Sequence, residues 1–321
     1  MKIFVQFLKR FLILIIVANG FAQYVPGTDP RLFEPGIITT AMHTRDVAMM
    51  PDGDELYFSV SAFGYNLIFF SKKTDGQWSE PQPATFITDD QYMFYEPHIE
   101  PNGKKLFFLS NKPLEKDGKP NEDIWVVDRK GDSWGEPNNL GEPVNSKGSE
   151  FFPSLTRDGT IYFTRQIEGT RENSIYRSRL KNDQYQEPEL LGPEVNCGTN
   201  RYNAFIDPDE RYIIVPAVGL PDSRGGTDYY IVFRDENDQW SQPVNLGDKV
   251  NTKSGREYSP YVSPDGTTFF FMSSRTNKDE LLKDGKLSFS HLLSSYGKPA
   301  NGNSDIYWMK ADFLLKLKKT N

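Results

Sequence analysis

Four acidic side chains at comparable places along this 321-residue chain are the ones that could carry out a reaction: Asp46, Glu96, Glu150 and Glu257. Two carboxylates that face one pocket can divide the acid and the base or nucleophile roles in cleaving a glycosidic bond. The same carboxylates can also bind a polar ligand without any reaction. The sequence leaves both hypotheses open; binding is the expectation, and no catalytic residue is assigned.

Aromatic and arginine side chains accompany these acids. Aromatic faces and planar guanidinium groups recognise sugars and peptide termini without a catalytic step. The alternative interpretation is that the polar groups satisfy one another around a wet channel. The predicted ligand-binding residues are Asp46, Tyr95, Glu96, Glu150, Arg201, Tyr202, Arg256, Glu257 and Tyr258.

Several other kinds of chemistry are disfavoured. His43, His98 and His291 lie far apart in the chain, so no metal site is predicted, although a calcium ion held by Asp and carbonyl oxygens stays open. The recurrence of Asp123, Asp228 and Asp305 favours a hydrogen bond at the start of a strand over a ring of ligands. Cys197 is the only cysteine and is predicted to be a buried small hydrophobe. No cofactor is predicted.

The candidate residues belong to a unit of roughly fifty residues that recurs five times, as propeller and solenoid units do. Each copy has a turn of the Asp-Gly kind, which suits two-residue hairpins. An apolar strand follows, then a second strand such as 123–125, and then an aromatic residue near a proline, as in Trp78 and Pro81. The five turns begin at Pro51, Pro101, Arg157, Pro208 and Pro264.

Four antiparallel strands in each unit make the blade of a β-propeller. The predicted fold is therefore an all-β propeller of four-stranded antiparallel blades, and the count favours five blades over six. The fifth unit lacks its own outer strand, so residues 31–39 are expected to supply it and to close the ring. Aligning the turns places five residues at one position of the innermost strand: Asp46, Glu96, Phe152, Asn203 and Ser259.

Residues 1–22 have the pattern of a cleaved secretory signal peptide, in which basic residues and an apolar core precede a small-residue site. Residues 23–321 then form one domain, periplasmic or extracellular, without membrane insertion. The net charge of −7 disfavours nucleic acid as a partner. The oligomeric state is left open.

Two insertions interrupt the repeat, at 111–122 and 275–304. Long insertions in regular repeats often serve binding, although an ordinary surface loop is an equal alternative. Residues 286–296, with Leu287, Leu292 and Leu293, are predicted to form a short amphipathic helix.

Between Asp46 and Trp308 the repeated motifs resemble the WD40-like propeller repeat of TolB-type proteins. Members of that family are mostly secreted or periplasmic, and many are binding platforms. The resemblance implies a non-catalytic binding or scaffolding module that recognises a protein, peptide or glycan through the channel mouth and the long loops. The alternative is a carbohydrate-active enzyme, a glycoside hydrolase or lyase, that uses the channel carboxylates.

Overall fold

Five antiparallel sheets form the blades of a β-propeller, as the repeat predicts. The computed structural model describes residues 26–115, 118, 120–253, 255–276 and 287–320. The predicted signal peptide, residues 1–22, lies outside the described residues. Among these described residues, no helix combines the length and the apolar character needed to cross a lipid bilayer.

The strands follow the chain order blade by blade. The N-terminal strand β1 is Arg31–Leu32. Blade 1 contains β2 to β6, which are His43–Met49, Glu55–Ala62, Tyr65–Thr74, Gln77–Trp78 and Gln82–Pro83. Blade 2 contains β7 to β11, which are Phe94–Ile99, Lys105–Ser110, Asp123–Lys130, Ser133–Trp134 and Asn138–Asn139. Blade 3 contains β12 to β17, which are Ser149–Leu155, Ile161–Gln166, Asn173–Ser178, Leu180–Lys181, Gln184–Tyr185 and Glu189–Leu190.

Blades 4 and 5 complete the ring. Blade 4 contains β18 to β22, which are Asn200–Arg201, Phe205–Ile206, Tyr212–Val218, Asp228–Phe233 and Val244–Asn245. Blade 5 contains β23 to β25, which are Glu257–Val262, Thr268–Ser273 and Asp305–Lys310. Among the described residues the helices are α1, Phe289–Tyr296, and α2, Asp312–Lys316, and a 3₁₀ turn follows at Leu317–Thr320.

The N-terminal segment closes the ring as predicted. Strand β1 pairs antiparallel with β25, with Arg31 opposite Trp308. The Phe33 amide then donates to the carbonyl of Ile306 at 2.9 Å. The strand is only two residues long, not the predicted 31–39, because the chain turns back at Gly36, whose φ of 89° suits glycine.

A β-bulge interrupts the innermost strand of blades 1, 2, 3 and 5, and in blade 4 that strand is split into β18 and β19. The bulge residues have positive φ angles of 61°, 57°, 51°, 54° and 63°, and they are Asp46, Glu96, Phe152, Asn203 and Ser259. These are the five residues that the repeat alignment placed at one position. A bulge re-aims the side chain, and here the polar ones meet at the propeller axis.

The described parts of the two insertions lie at the end of the propeller where the innermost strands begin. The strands are antiparallel, so the start of β23 at Glu257 lies opposite the end of β24 at Ser273. The described residues that follow the second strand of blades 2 and 5 therefore lie at the mouth of the channel. Helix α1 forms within the second of these insertions, as the sequence predicts, and none of its residues is buried.

Candidate functional site

The channel mouth is ringed by one side chain from each blade, namely the residue just before each bulge. Four of the five are aromatic and the fifth is an arginine: Arg45, Tyr95, Phe151, Tyr202 and Tyr258. They line a depression of about 220 Å³ together with Glu122. We call these five residues the mouth ring.

Arg45 and the tyrosines of the mouth ring pack against one another. The Arg45 guanidinium lies 4.9 Å from the centre of the Tyr95 ring and 5.7 Å from that of Tyr258. The rings of Tyr202 and Tyr258 are 6.0 Å apart. Such contacts hold the rings in place because a cation is attracted to the aromatic face. The mouth is therefore a preformed, largely aromatic surface.

A closed set of hydrogen bonds lies directly beneath the mouth ring, and we call it the polar plug. Arg45 Nη1 donates to Asp46 Oδ1 at 3.0 Å and to Glu96 Oε1 at 3.1 Å. Asn203 Nδ2 contacts Glu96 Oε1 at 3.2 Å and Ser259 Oγ at 3.3 Å. Ser259 Oγ in turn donates to Asp46 Oδ1. Since Glu96 is on blade 2 and Asn203 on blade 4, the plug spans the channel.

The plug changes the acid–base properties of its members. Burial raises the pKa of Glu96 to about 7, against the opposing effect of the Arg45 charge. Burial also disfavours the charged form of Arg45, yet the neighbouring Asp46 and Glu96 carboxylates keep its pKa above the ordinary value. The pKa of the Glu96 carboxyl is thus close to neutral pH, but the residue is only 3% exposed to solvent.

The channel is also filled below the plug. His98 is buried, and its Nε2 accepts a hydrogen bond from the Leu155 amide at 3.0 Å. Burial lowers the pKa of His98 to about 3, so the imidazole is neutral. The Tyr261 ring packs 5.5 Å from that of Phe205. The accessible site is therefore the mouth and not a through-channel.

The structure brings together five of the nine predicted binding residues: Asp46, Tyr95, Glu96, Tyr202 and Tyr258. Glu150 instead accepts from Ser146 and from Arg165 Nε at 2.7 Å in the connection between blades 2 and 3. Arg201 donates to backbone carbonyls between blades 3 and 4, Glu257 is buried between blades 4 and 5, and Arg256 is exposed.

Phe151 and Glu122 line the mouth but were not among the predicted residues. The repeat carried the signal for Phe151, which precedes Phe152 as Tyr95 precedes Glu96. Arg45 precedes Asp46 in the same way. The sequence signal for Glu122 was weaker, because it consists only of the position of Glu122 directly before the recurrent Asp123. Tyr95 OH is 3.4 Å from Glu122 Oε1, and this contact places the carboxylate at the rim.

The recurrent aspartates accept hydrogen bonds from the loops around them, as predicted. Asp123 accepts from the side chains of Asn121 and Asn139, both at 2.8 Å, and Asp305 Oδ2 accepts from the Ala300 amide at 2.7 Å. Cys197 is buried as predicted, and burial raises the pKa of its thiol to about 11. Within the described residues, no three His, Cys, Asp or Glu side chains are grouped to hold a metal ion.

Asp305 is expected to make stability depend on pH, because burial raises its pKa to about 7. Between pH 4 and 7 the unfolded chain has lost this proton while the native state keeps it, so the free energy of unfolding falls as the pH rises. The contribution is up to about 1.4 kcal/mol per pH unit. Urea unfolding across this range should show a shallower fall for Asp305→Asn. Parallel curves for the variant and the original chain would contradict the prediction.

Comparisons with known proteins support the fold. No family model matches the sequence, and no curated protein matches it either. Among similar solved structures, a thermostable family-43 glycoside hydrolase has a TM-score of 0.51 at 14% identity, over 87% of this chain and 92% of that one. A TolB protein from Agrobacterium tumefaciens has a TM-score of 0.47 at 13% identity, over 83% of this chain and 90% of that one.

TolB from Acinetobacter baumannii is also similar, with a TM-score of 0.43 at 13% identity over 84% of this chain. The present chain spans 54% of the length of that protein. At 14% identity the likeness to the family-43 glycoside hydrolase shows the fold alone. The predicted propeller is confirmed by the structure itself, because the five blades are observed directly.

Proposed function

We propose that this chain is an exported, non-catalytic binding module that holds a peptide segment of a protein partner at the mouth ring. The observation that carries the proposal is the aromatic ring set above a closed polar plug. The depression of about 220 Å³ is smaller than the ~300–1,000 Å³ typical of sites for whole small molecules. It suits one side chain of a larger ligand.

Helix α1 favours a protein partner over a glycan. It lies in the insertion at the mouth end, and its apolar side chains face solvent. Phe289 is 80% exposed and Leu293 61% exposed. Exposed apolar side chains at the same end of the propeller as a preformed aromatic site are typical of protein-binding surfaces, where a few aromatic anchors supply most of the affinity.

The alternative, a carbohydrate-active enzyme, has weaker support. Catalytic carboxylates of glycosidases flank an open pocket and stand apart by roughly 5–10 Å. Asp46 and Glu96 are instead bound by the same guanidinium nitrogen and are 0% and 5% exposed at their side chains. Glu150 and Glu257 lie between blades. An enzymatic role would require Arg45 to release both acids.

Replacing Tyr258 by alanine is expected to weaken ligand binding about tenfold or more, because an aromatic anchor of the mouth is lost. The chain is purified from its host's envelope fraction. Its mass is measured to test export, because removal of the predicted signal peptide leaves Gln23 as the N-terminal residue. Peptides selected from a displayed random library are then titrated by calorimetry against both forms of the protein.

Tyr185→Ala is the matched control. Tyr185 is also half-buried, but it follows the third strand of blade 3 and so lies at the opposite end of the propeller. Its replacement should leave the affinity unchanged. Equal losses in the two variants, or selected peptides that bind Tyr258→Ala normally, would contradict the proposed site. Turnover of a glycan in a parallel screen would favour the enzyme.

A further inference from the structure

Two fully buried carboxylates at the junction of blades 4 and 5 each carry one unsatisfied oxygen. Asp228 begins β21 and Glu257 begins β23, and both residues are 0% exposed. Among the residues that the structure describes, Asp228 Oδ1 and Glu257 Oε2 have no hydrogen-bond partner. A buried anionic oxygen without a partner is costly, so these two atoms point to a ligand.

The remaining oxygens of both carboxylates are anchored. Asp228 Oδ2 accepts from Ser223 Oγ at 2.9 Å and from the Arg224 amide. Glu257 Oε1 accepts from Thr252 Oγ1 and Ser273 Oγ, each at 2.8 Å. These bonds fix the planes of the two carboxylates, and the unsatisfied oxygens therefore keep fixed directions.

The junction of blades 2 and 3 has the same arrangement, and there a side chain completes it. There Asp123 stands where Asp228 stands, and Glu150 where Glu257 stands. The side-chain amide nitrogen of Asn121 donates to Asp123 Oδ1 at 2.8 Å, to the Ser146 carbonyl at 3.2 Å and to the Gly148 carbonyl at 2.9 Å. One nitrogen donor thus serves three oxygens from two blades.

The equivalent three oxygens at the junction of blades 4 and 5 converge beside a glycine. A Cβ atom on Gly225 would lie 2.4 Å from the Thr252 carbonyl oxygen, 3.1 Å from that of Gly255 and 3.6 Å from Asp228 Oδ1. Glycine brings no side-chain donor to replace Asn121. The three oxygens therefore form a cradle that lacks a donor equivalent to the Asn121 side-chain amide at the junction of blades 2 and 3.

Neighbouring cations serve other acceptors. The guanidinium of Arg275 donates to the carbonyls of Lys249 and Val250 and to Ser273 Oγ. At the junction of blades 3 and 4 the guanidinium of Arg201 donates to the Cys197 and Gly198 carbonyls, so a positive charge occupies that junction. A positive group is thus the kind of partner that such a junction accepts.

We propose that Asp228 and Glu257, with the carbonyl oxygens of Thr252 and Gly255, form a calcium site that joins blade 4 to blade 5. Calcium prefers carboxylate and carbonyl oxygens, accepts six to eight of them and tolerates irregular geometry, with water completing the set. Magnesium demands near-ideal octahedral geometry, and zinc prefers nitrogen and sulfur ligands, which the cradle lacks. The site is separate from the proposed ligand site at the mouth.

The test is thermal unfolding of the full purified chain after treatment with a chelator, with CaCl₂ or MgCl₂ added back at equal ionic strength. Calcium at 100 times its Kd should raise the Tm by about 5 °C, because a ligand that binds only the native state stabilises it. Magnesium should have a much smaller effect. Asp228→Asn and Glu257→Gln should each abolish the response to calcium.

Asp123→Asn is the matched control, since Asn121 already completes that junction, and it should respond to calcium as the original chain does. If Asp228→Asn fails to fold, terbium luminescence replaces the variant. Terbium should be sensitised by Tyr229, which adjoins Asp228, be displaced by calcium, and lose its signal in Glu257→Gln. No calcium-specific rise in Tm, or a rise that persists in both variants, would overturn the site.

Discussion

Replacing Arg45 by alanine is expected to lower the free energy of unfolding by about 3–5 kcal/mol, as is usual when one partner of a buried ion pair is removed. The guanidinium is the only described cation that contacts both Asp46 and Glu96. Without it, two carboxylates that are each 3% exposed lose their compensating charge. Urea unfolding of both forms measures the loss.

The loss should grow with pH. Without Arg45 the pKa of Glu96, already about 7 because of burial, rises further. A carboxyl with a raised native pKa costs nothing below its unfolded pKa, but stability is lost as the pH increases toward the native value. The difference between the variant and the original chain should therefore be smaller at pH 5 than at pH 8.

Arg157→Ala is the control for this experiment. Arg157 also pairs with an acid, Asp209 at 2.7 Å, but the two side chains are 59% and 48% exposed. An exposed ion pair contributes about 0–1 kcal/mol. Similar losses for the two arginine variants, or a loss for Arg45→Ala that does not change with pH, would show that the polar plug is not held as the structure describes.

Replacing Phe33 by alanine is expected to cost about 3–5 kcal/mol, the usual effect of truncating a buried aromatic side chain. Phe33 is 2% exposed. Its ring packs 5.1 Å from that of Phe270, 5.2 Å from Trp308 and 6.0 Å from Trp78. It therefore joins the N-terminal strand to blades 5 and 1 at once, and its loss weakens the closure of the ring.

Phe63→Ala tests whether burial and not residue type causes that effect. Phe63 is at the tip of the β3–β4 hairpin and is 99% exposed, so its replacement should change the free energy of unfolding by less than about 0.5 kcal/mol. Limited proteolysis of Phe33→Ala adds a second readout, because loss of the pairing between β1 and β25 should expose residues near 31–39 to cleavage. If Phe33→Ala resists the protease as well as the original chain does, Phe33 is not needed to close the ring.

Much of the fold followed from local patterns in the sequence. Asp-Gly turns set the hairpins, as at Gly53 with its φ of 80°, and continuous apolar strands indicated burial on both faces. Because the repeats are in phase, an alignment on the turns placed Asp46 and Glu96 at the same structural position. The missing outer strand of the fifth unit was enough to predict closure by the N-terminal segment.

The candidate site was less accessible to such reasoning. The alignment put Glu150 and Glu257 near the channel, but both side chains turn into the junctions between blades. Successive side chains of a strand point to opposite faces. Neighbouring residues therefore differ in whether the side chain faces the channel or is buried between blades. Phe151 was missed for the same reason, since its neighbour Phe152 is the bulge residue.

The sequence by itself therefore determined the repeat, the number of blades and the order of strands, because turn chemistry and apolar patterning act between residues close in the chain. Only the tertiary structure decided which polar groups satisfy one another. The contact between Asn203 and Glu96 joins residues 107 positions apart on blades that are not neighbours. No local pattern encodes that contact, because it arises when the innermost strands of five blades meet at one axis.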